Sequence, residues 1–225
     1  GPFRWVCLSG KKEDLLKTDH AALELVDPER RYQDRDNYMW IKDADKNGLV
    51  VGTQARIFYQ DAMSRTRVAL KFNEMVRNGE IGPVMLGRDH HDVSGTDSPF
   101  RETSNIKDGS NIMADMANQC FAGNAARGMT MIALHNGGGV GIGKSINGGF
   151  GMVLDGSHRV DEILMQAMPW DVMGGVARRA WARNPHSIET VIEYNNDNRG
   201  TDHITLPYIA NDNLIKKLVD EKLNK

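Results

Sequence analysis

Apolar residues along the chain form two kinds of pattern, short continuous runs and longer segments of helical period. Runs of strand length, rich in β-branched or aromatic residues, predict strands at 3–8, 55–59, 84–86, 129–134, 150–154 and 188–194. Helical spacing predicts helices near 64–78, 110–127, 160–168 and 213–223, the third interrupted by Pro169 and the last capped by Asn211 or Asp212. The dense polar stretch 29–47 predicts an exposed helix with a connector.

Strands that alternate with helices predict an α/β layered fold, in which helices flank a mainly parallel sheet. Ligands of such sheets bind beyond the carboxyl ends of the strands. Two predicted strands run into the most polar sequence of the chain: 84–86 leads into 87–92, and 129–134 leads into 135–141. If these strands are neighbours, five side chains face one crevice: Asp89, His90, His91, Asp92 and His135. The glycine loop would form the floor of that crevice.

The glycine loop matches a nucleotide-binding motif. Residues 138–145, GGVGIGKS, fit the phosphate-loop pattern G-x-x-x-x-G-K-[ST], but a true phosphate loop opens a helix whose amides hold the phosphates. The continuation INGGFGM contains three glycines, each of which costs a helix about 1 kcal/mol relative to alanine. No helix is therefore expected after Ser145, although a P-loop-like module at Gly138–Ser145 stays an alternative. Otherwise the loop is a close-approach surface for a cofactor or planar substrate, or a packed turn.

The run RDHHD at 88–92 allows three interpretations. Imidazoles and carboxylates bind zinc or iron, but adjacent residues at a strand end point to opposite sides, so a third ligand would have to come from His135. We expect no metal. General acid–base chemistry or substrate hydrogen bonding is favoured, and structural histidines are the remaining interpretation. The polar run 94–103 favours a substrate loop, and a half-buried Arg4 predicts an anionic partner.

Bulk composition excludes some classes of function. With 225 residues and 40% hydrophobic residues, the chain can form one large domain or two small ones. A formal charge of −2 gives no electrostatic footprint for nucleic acid or an anionic membrane, and no apolar run reaches the roughly 18 residues of a membrane span. Two cysteines predict reduced thiols in a cytosolic protein. The opening GPFRWVCL suggests a segment of a longer protein.

Seven short segments occur in order along nearly the whole chain: GPFRWV, LKTD, ARI, GRDH, SPFRET, KDGS and LHNGGGVG. Together they resemble the urocanase family, specifically the C-terminal third of its longer members. The resemblance implies a hydro-lyase that adds water to urocanate in histidine degradation, giving imidazolonepropionate, with NAD⁺ as an electrophile. It further implies a cytoplasmic homodimer and an upstream Rossmann-type domain that holds most of the NAD⁺. This chain would then be a substrate-binding core, 1–225, that is inactive alone. A non-catalytic fragment is the other alternative.

The resemblance also implies roles for individual residues. Arg4 would clamp the propenoate carboxylate, Asp89 would act in acid–base chemistry or orient the imidazole, and Arg101 would add a second positive group. His90 and Asp92 are further candidates. Four glycines would approach the nicotinamide: Gly137, Gly138, Gly139 and Gly141. Many bacterial members have a cysteine where this chain has Phe58, and neither Cys7 nor Cys120 replaces it.

Overall fold

The computed structural model describes residues 3–49, 53–92, 115–136, 146–197, 202–208 and 211–223. The described elements are, in chain order, β1 (Phe3–Cys7), α1 (Lys12–Leu25), α2 (Tyr32–Lys42), β2 (Ala55–Phe58), α3 (Ala62–Arg77), β3 (Val84–Asp92), α4 (Asp115–Ala126), β4 (Met131–Asn136), β5 (Ile146–Leu154), α5 (His158–Trp181), α6 (Pro185–Asp197) and α7 (Asp212–Leu223). The chain divides into two compact units, Gly1–Gly175 and Val176–Lys225. Within these ranges, no helix combines the length and apolar character that crossing a membrane requires.

The class is α/β as predicted, but the prediction of a mainly parallel sheet is wrong. Five strands lie in the order β2-β1-β3-β5-β4, and each of the four neighbouring pairs is antiparallel. Alternation of strands and helices along a sequence does not report the direction in which each strand enters the sheet. The spacing of β4 and β5 does report it, because only 137–145 separate them, and a parallel crossover needs a dozen or more residues.

One face of the sheet carries most of the first unit's core. Residues that pair directly across antiparallel strands share a face, and Phe3 pairs with Phe58 on one side and with Arg88 on the other. Trp5 and Phe72 of α3 complete the aromatic centre, with their ring centroids 5.3 Å apart. Burying such a side chain contributes roughly 1.5–3 kcal/mol, so these contacts hold α3 against β1.

Helix α1 was not predicted, because polar residues occupy part of its inward face. Asp14, Thr18 and Asp19 are buried beside Leu15, which hides the apolar period in the sequence. Their burial is satisfied by hydrogen bonds, as when the Trp5 indole nitrogen donates to the Thr18 hydroxyl at 2.9 Å. The helix α2 lies within the polar stretch 29–47, as predicted, but it is not wholly exposed, because Asp34, Asn37 and Ile41 are buried.

Two predictions of secondary structure between residues 158 and 197 are wrong. Helix α5 was expected to end at Pro169, yet it continues to Trp181 because residues on both sides of the proline, such as Met168 and Met173, are buried. The predicted strand 188–194 is instead part of α6. Its β-branched residues suggested a strand, but Asn184 caps the helix by accepting from the Ser187 amide at 3.0 Å.

The last helix, α7, has four apolar residues at helical spacing, Leu214, Ile215, Leu218 and Leu223, and this spacing predicts that they face inward, but no residue of α7 is buried. Its predicted cap is confirmed, since the Asn211 side-chain oxygen accepts from the Asn213 amide at 3.1 Å and from the Leu214 amide at 3.2 Å. Helical period alone therefore located the helix correctly without showing what covers its apolar side.

Candidate active site

The antiparallel order gathers the predicted site segments at one edge of the sheet. Phe3 at the start of β1 pairs with Arg88 of β3, while Asn147 at the start of β5 pairs with Asp92 on one side and His135 on the other. The condition that the two strands are direct neighbours is not met, because β5 lies between β3 and β4. Two interstrand spacings place Asp92 and His135 about 9–10 Å apart along the sheet. The polar strand ends nevertheless share one edge, as the crevice hypothesis requires.

A β-bulge lies in β3 at this edge. Arg88 pairs with Phe150 and His91 pairs with Gly148, with a register shift between them. Two residues of β3, Asp89 and His90, thus oppose the single residue Gly149. Bulges bend a strand locally and are over-represented next to active sites, where they redirect side chains. The sequence motif GRDH therefore marks an irregular backbone and not a simple strand end.

Arg88 is the centre of a buried polar cluster directly before the bulge. Its side chain is 3% exposed, and its Nε lies 2.7 Å from Oδ2 of Asp171 on α5, whose side chain is 1% exposed. The Nε also donates to Asp171 Oδ1 at 2.9 Å, Nη1 donates to the Gly148 carbonyl at 2.9 Å, and Nη2 donates to Cys120 Sγ at 3.3 Å. Asn124 of α4 donates to Asp171 Oδ1 at 3.0 Å. One guanidinium therefore joins β3, β5, α4 and α5.

The charges of this cluster are fixed at neutral pH. Burial raises the pKa of the Asp171 carboxyl, but the charge of Arg88 and the Asn124 amide outweigh it, so the pKa lies below its usual value. Burial lowers the pKa of Arg65, a neighbouring residue of α3, to about 10, which leaves it cationic. Asp171 is thus an ionised counter-ion of Arg88 at neutral pH.

Helices α4 and α5 approach closely beside the cluster because Gly123 has no side chain. A Cβ built at Gly123 would lie less than 3.0 Å from three atoms of the Trp170 indole. Arg127 of α4 also contacts that ring: its guanidinium carbon lies 4.0 Å from the ring centroid, a cation–π arrangement. This close approach carries Asn124, the next residue of α4, to within hydrogen-bonding distance of Asp171.

The described part of the glycine-rich stretch is strand and not helix. β5 begins at Ile146, directly after Ser145, so the prediction that no helix follows the loop is confirmed. The P-loop alternative is wrong, because its phosphate-binding helix is replaced by a strand. At Gly151 the space left by the missing side chain is filled, since a Cβ there would lie 2.5 Å from Met85 Cε and 2.6 Å from Met131 Cε.

The structure places the other predicted residues to different extents. Arg4 is exposed and not half-buried, because it lies on the face of β1 opposite the core, where it pairs with Gly87 of the GRDH motif. Four candidates of β3 are described by their backbone only: Asp89, His90, His91 and Asp92. Five further candidates lie outside the described residues: Arg101, Gly137, Gly138, Gly139 and Gly141. Among residues whose side chains are described, no three potential metal ligands lie together.

The thiols and the residue at the family's cysteine position agree with the sequence-based interpretation. Phe58 is buried in the core, 5.2 Å from the Phe3 ring and 5.3 Å from the Trp5 ring. Burial raises the pKa of Cys7 to about 11, and burial together with the charge of Asp171 raises the pKa of Cys120 to about 11. Because the thiolate is the nucleophile, neither cysteine is prepared for thiol catalysis.

Sequence reasoning did not find Asp171 or Asn124. A weak signal was present for Asp171, which is an acidic residue directly after Pro169 and Trp170 in a segment with many apolar residues. Such an acid is rarely buried without a cationic partner. Cys120 and Asn124 are four positions apart and so share one face of α4, but of the two the apolar period of 110–127 predicts only Cys120 to face inward.

Comparison with known proteins agrees with the geometry. The family model described as the urocanase C-terminal domain matches residues 1–193, and the chain belongs to this family. The urocanate hydratase of Mus musculus is 49% identical across 96% of this chain and 33% of its own length. The probable urocanate hydratase of Caenorhabditis elegans is 50% identical across 97% of this chain and 34% of its own. The urocanate hydratase of Homo sapiens is 48% identical across 94% of this chain and 32% of its own length. The chain thus spans about a third of the length of these relatives.

Proposed function

We propose that this chain supplies the substrate-binding core of a urocanate hydratase, which adds water to urocanate to give imidazolonepropionate in histidine degradation. The observation that carries the proposal is the close likeness, along nearly the whole chain, to relatives named urocanate hydratase. The sheet topology supports it, because β1 begins at the same edge of the sheet at which β3 and β4 end. Because the chain spans a third of those relatives, turnover would require the rest of the protein.

Arg4 is the proposed clamp for the substrate carboxylate. Arg4 is exposed on β1 and pairs with Gly87 of β3. Because Gly87 has no side chain, no side chain of β3 lies beside Arg4 at that paired position. A guanidinium binds a carboxylate through two parallel hydrogen bonds, and Arg101 would add positive charge. Asp89, with His90 beside it in the bulge, is proposed for acid–base chemistry or for orienting the imidazole.

NAD⁺ is the proposed cofactor, held mainly by a domain outside this chain. The residues at the site edge fit a planar cofactor, because β4 ends at Asn136 and a run of glycines follows, whose backbone can lie close to a flat ring. Gly137, Gly138, Gly139 and Gly141 are the proposed contacts. When bound, NAD⁺ would supply an electrophilic ring, and the role of this chain would be to hold urocanate against it.

The full-length protein is further proposed to be a homodimer in the cytoplasm. The two free cysteines, Cys7 and Cys120, fit a reducing compartment, and the substrate is a small molecule and not a macromolecule. Light scattering of the full-length protein tests the assembly, with twice the monomer mass as the expected result.

The function is tested with the full-length protein carrying its NAD⁺. Urocanate absorbance should fall with time, and Arg4→Ala should raise KM for urocanate roughly 10- to 100-fold, since a hydrogen bond to a charged group contributes about 1.5–3 kcal/mol. Arg67→Ala, on the exposed side of α3, is the matched control and should leave KM unchanged. If urocanate absorbance stayed unchanged with NAD⁺ bound, the proposed activity would be wrong and the non-catalytic fragment would be the remaining alternative. An equal effect of the two substitutions would remove Arg4 from the clamp role.

A further inference from the structure

Arg88 spans the bulge that carries two of the proposed site residues. It is the last residue before the register shift, and its Nη1 donates at 2.9 Å to the carbonyl of Gly148, which lies opposite His91 where regular pairing resumes. The guanidinium thus connects the strand before the bulge with the partner of the strand after it. A bulge leaves its extra residue without a regular ladder partner, so such a connection limits the conformations open to that backbone.

The guanidinium is itself held rigidly. Its ion pair with Asp171 at 2.7 Å lies within the protein, where both side chains are at most 3% exposed. Asp171 is fixed in turn by the Asn124 amide at 3.0 Å and by the Cys120 thiol, which donates at 3.3 Å. A buried ion pair contributes little net stability compared with apolar residues of similar volume. The ion pair therefore serves mainly to fix the position of the Arg88 guanidinium.

We propose that Arg88, held by Asp171, is a positioning residue that fixes the backbone of the bulge and thereby places Asp89 and His90 for the reaction. This inference rests on the proposed function for its chemistry and on the cluster geometry for its mechanism. Arg88 acts through the bulge and through Gly148, and no contact with substrate is needed. A misplacement of about 1 Å at a reacting group can cost 100-fold in rate, which sets the scale of the expected effect.

The test compares Arg88→Lys with Arg56→Lys in the full-length protein with NAD⁺ bound. Arg56 is a matched control because it also lies on a strand and pairs with a buried aspartate, Asp19, at 2.8 Å, in a regular part of the sheet opposite Trp5. Lysine keeps the charge but cannot reproduce the planar fork of donors. Arg88→Lys should lower kcat 10- to 100-fold with KM for urocanate changed less than threefold. Arg56→Lys should leave kcat within twofold. Equal losses of kcat would overturn the proposal.

A second measurement does not depend on turnover. Hydrogen exchange of backbone amides in 88–92 and 146–150 should accelerate at least tenfold in Arg88→Lys and stay unchanged in Arg56→Lys. If the wild type failed to consume urocanate, the proposed function would fall, and the exchange result would still decide whether Arg88 fixes the bulge. Should Arg88→Lys not fold, the double variant Arg88→Met/Asp171→Asn removes one charge of each sign and leaves the cluster's net charge unchanged. Unaltered exchange and kcat in the variant that folds would contradict the positioning role.

Discussion

Gly123 and Gly174 provide a paired test of the helix packing beside the candidate site. Both are glycines within helices, in α4 and α5, and replacing such a glycine by alanine stabilises a helix by roughly 0.5–1 kcal/mol when space is available. Apart from its chain neighbours and the nearby backbone of α5 itself, no atom of the described residues lies within 4 Å of a Cβ built at Gly174. The same atom at Gly123 would lie less than 3.0 Å from three indole atoms of Trp170. The two substitutions should therefore have opposite signs.

The magnitude at Gly123 follows from the rigidity of the obstacle. The clash involves the body of an aromatic ring and not the end of a flexible side chain, and Arg127 lies against that ring at 4.0 Å. Overpacking costs about 1–3 kcal/mol, and the upper end applies because three ring atoms would lie less than 3.0 Å from the added Cβ. After subtracting the gain in helix propensity, Gly123→Ala should destabilise the protein by about 2 kcal/mol, while Gly174→Ala stabilises it by about 0.5–1 kcal/mol.

Thermal unfolding followed by circular dichroism measures both variants. For a chain of this size about 1 kcal/mol corresponds to about 2–4 °C, so Tm should fall by roughly 4–8 °C for Gly123→Ala and rise by a few degrees for Gly174→Ala. A second prediction concerns coupling: Trp170→Ala should cost less in the Gly123→Ala background than in the wild type. Equal Tm increases for the two alanine variants would refute the close approach of α4 and α5 at Gly123.

Two further predictions concern buried ionisable groups away from that contact. Arg56→Met should destabilise the protein by about 3–5 kcal/mol in urea unfolding, because it leaves Asp19 buried without its cation; recovery of most of this loss in Arg56→Met/Asp19→Leu is expected, and its absence would contradict the pairing. Because the pKa of both Cys7 and Cys120 is raised to about 11, about one thiol in 1,000 is ionised at pH 8. Thiol labelling of the native 225-residue chain, which has only these two cysteines, should therefore be slow and should accelerate about tenfold per unit between pH 8 and 10. Rapid labelling at pH 8 would show that the thiols are not buried as described.

The positions of the strands could be predicted from sequence, but their directions could not. Each strand of the sheet contains a short apolar run, such as 150–154 within β5, because one side chain in two enters the core. The direction of a strand depends on where the chain re-enters the sheet. Contacts between residues far apart in the sequence determine that point. The wrong strand at 188–194 has the same origin: β-branched residues favour strands only weakly, and the pairing of Val191 and Tyr194 on one buried helix face decided otherwise.

The candidate site shows the same division between local and long-range information. The motif GRDH and the glycine loop are local, and they located the polar edge of the sheet. The bulge is not visible locally, because the register shift arises where Gly148 of β5 pairs with His91. Nor is the partner of Arg88, since Asp171 lies 83 residues further along the chain. A helix interior that follows a proline is also a poor place to expect a buried carboxylate.

Buried arginines in the first unit share a use that composition does not reveal. Each of three guanidiniums donates to a backbone carbonyl at an irregular or terminal point of the chain: Arg56 to Leu49 at 2.7 Å, Arg65 to Gln60 at 2.6 Å and Arg88 to Gly148 at 2.9 Å. A carbonyl outside a regular ladder must find a donor when it is buried, and the planar fork of arginine reaches a carbonyl and a carboxylate at once. Stability alone does not explain a buried cation, since an apolar residue of similar volume serves as well or better. These arginines are therefore best understood as fixing backbone geometry, and the bulge at Asp89 is the place where such fixing bears directly on the proposed chemistry.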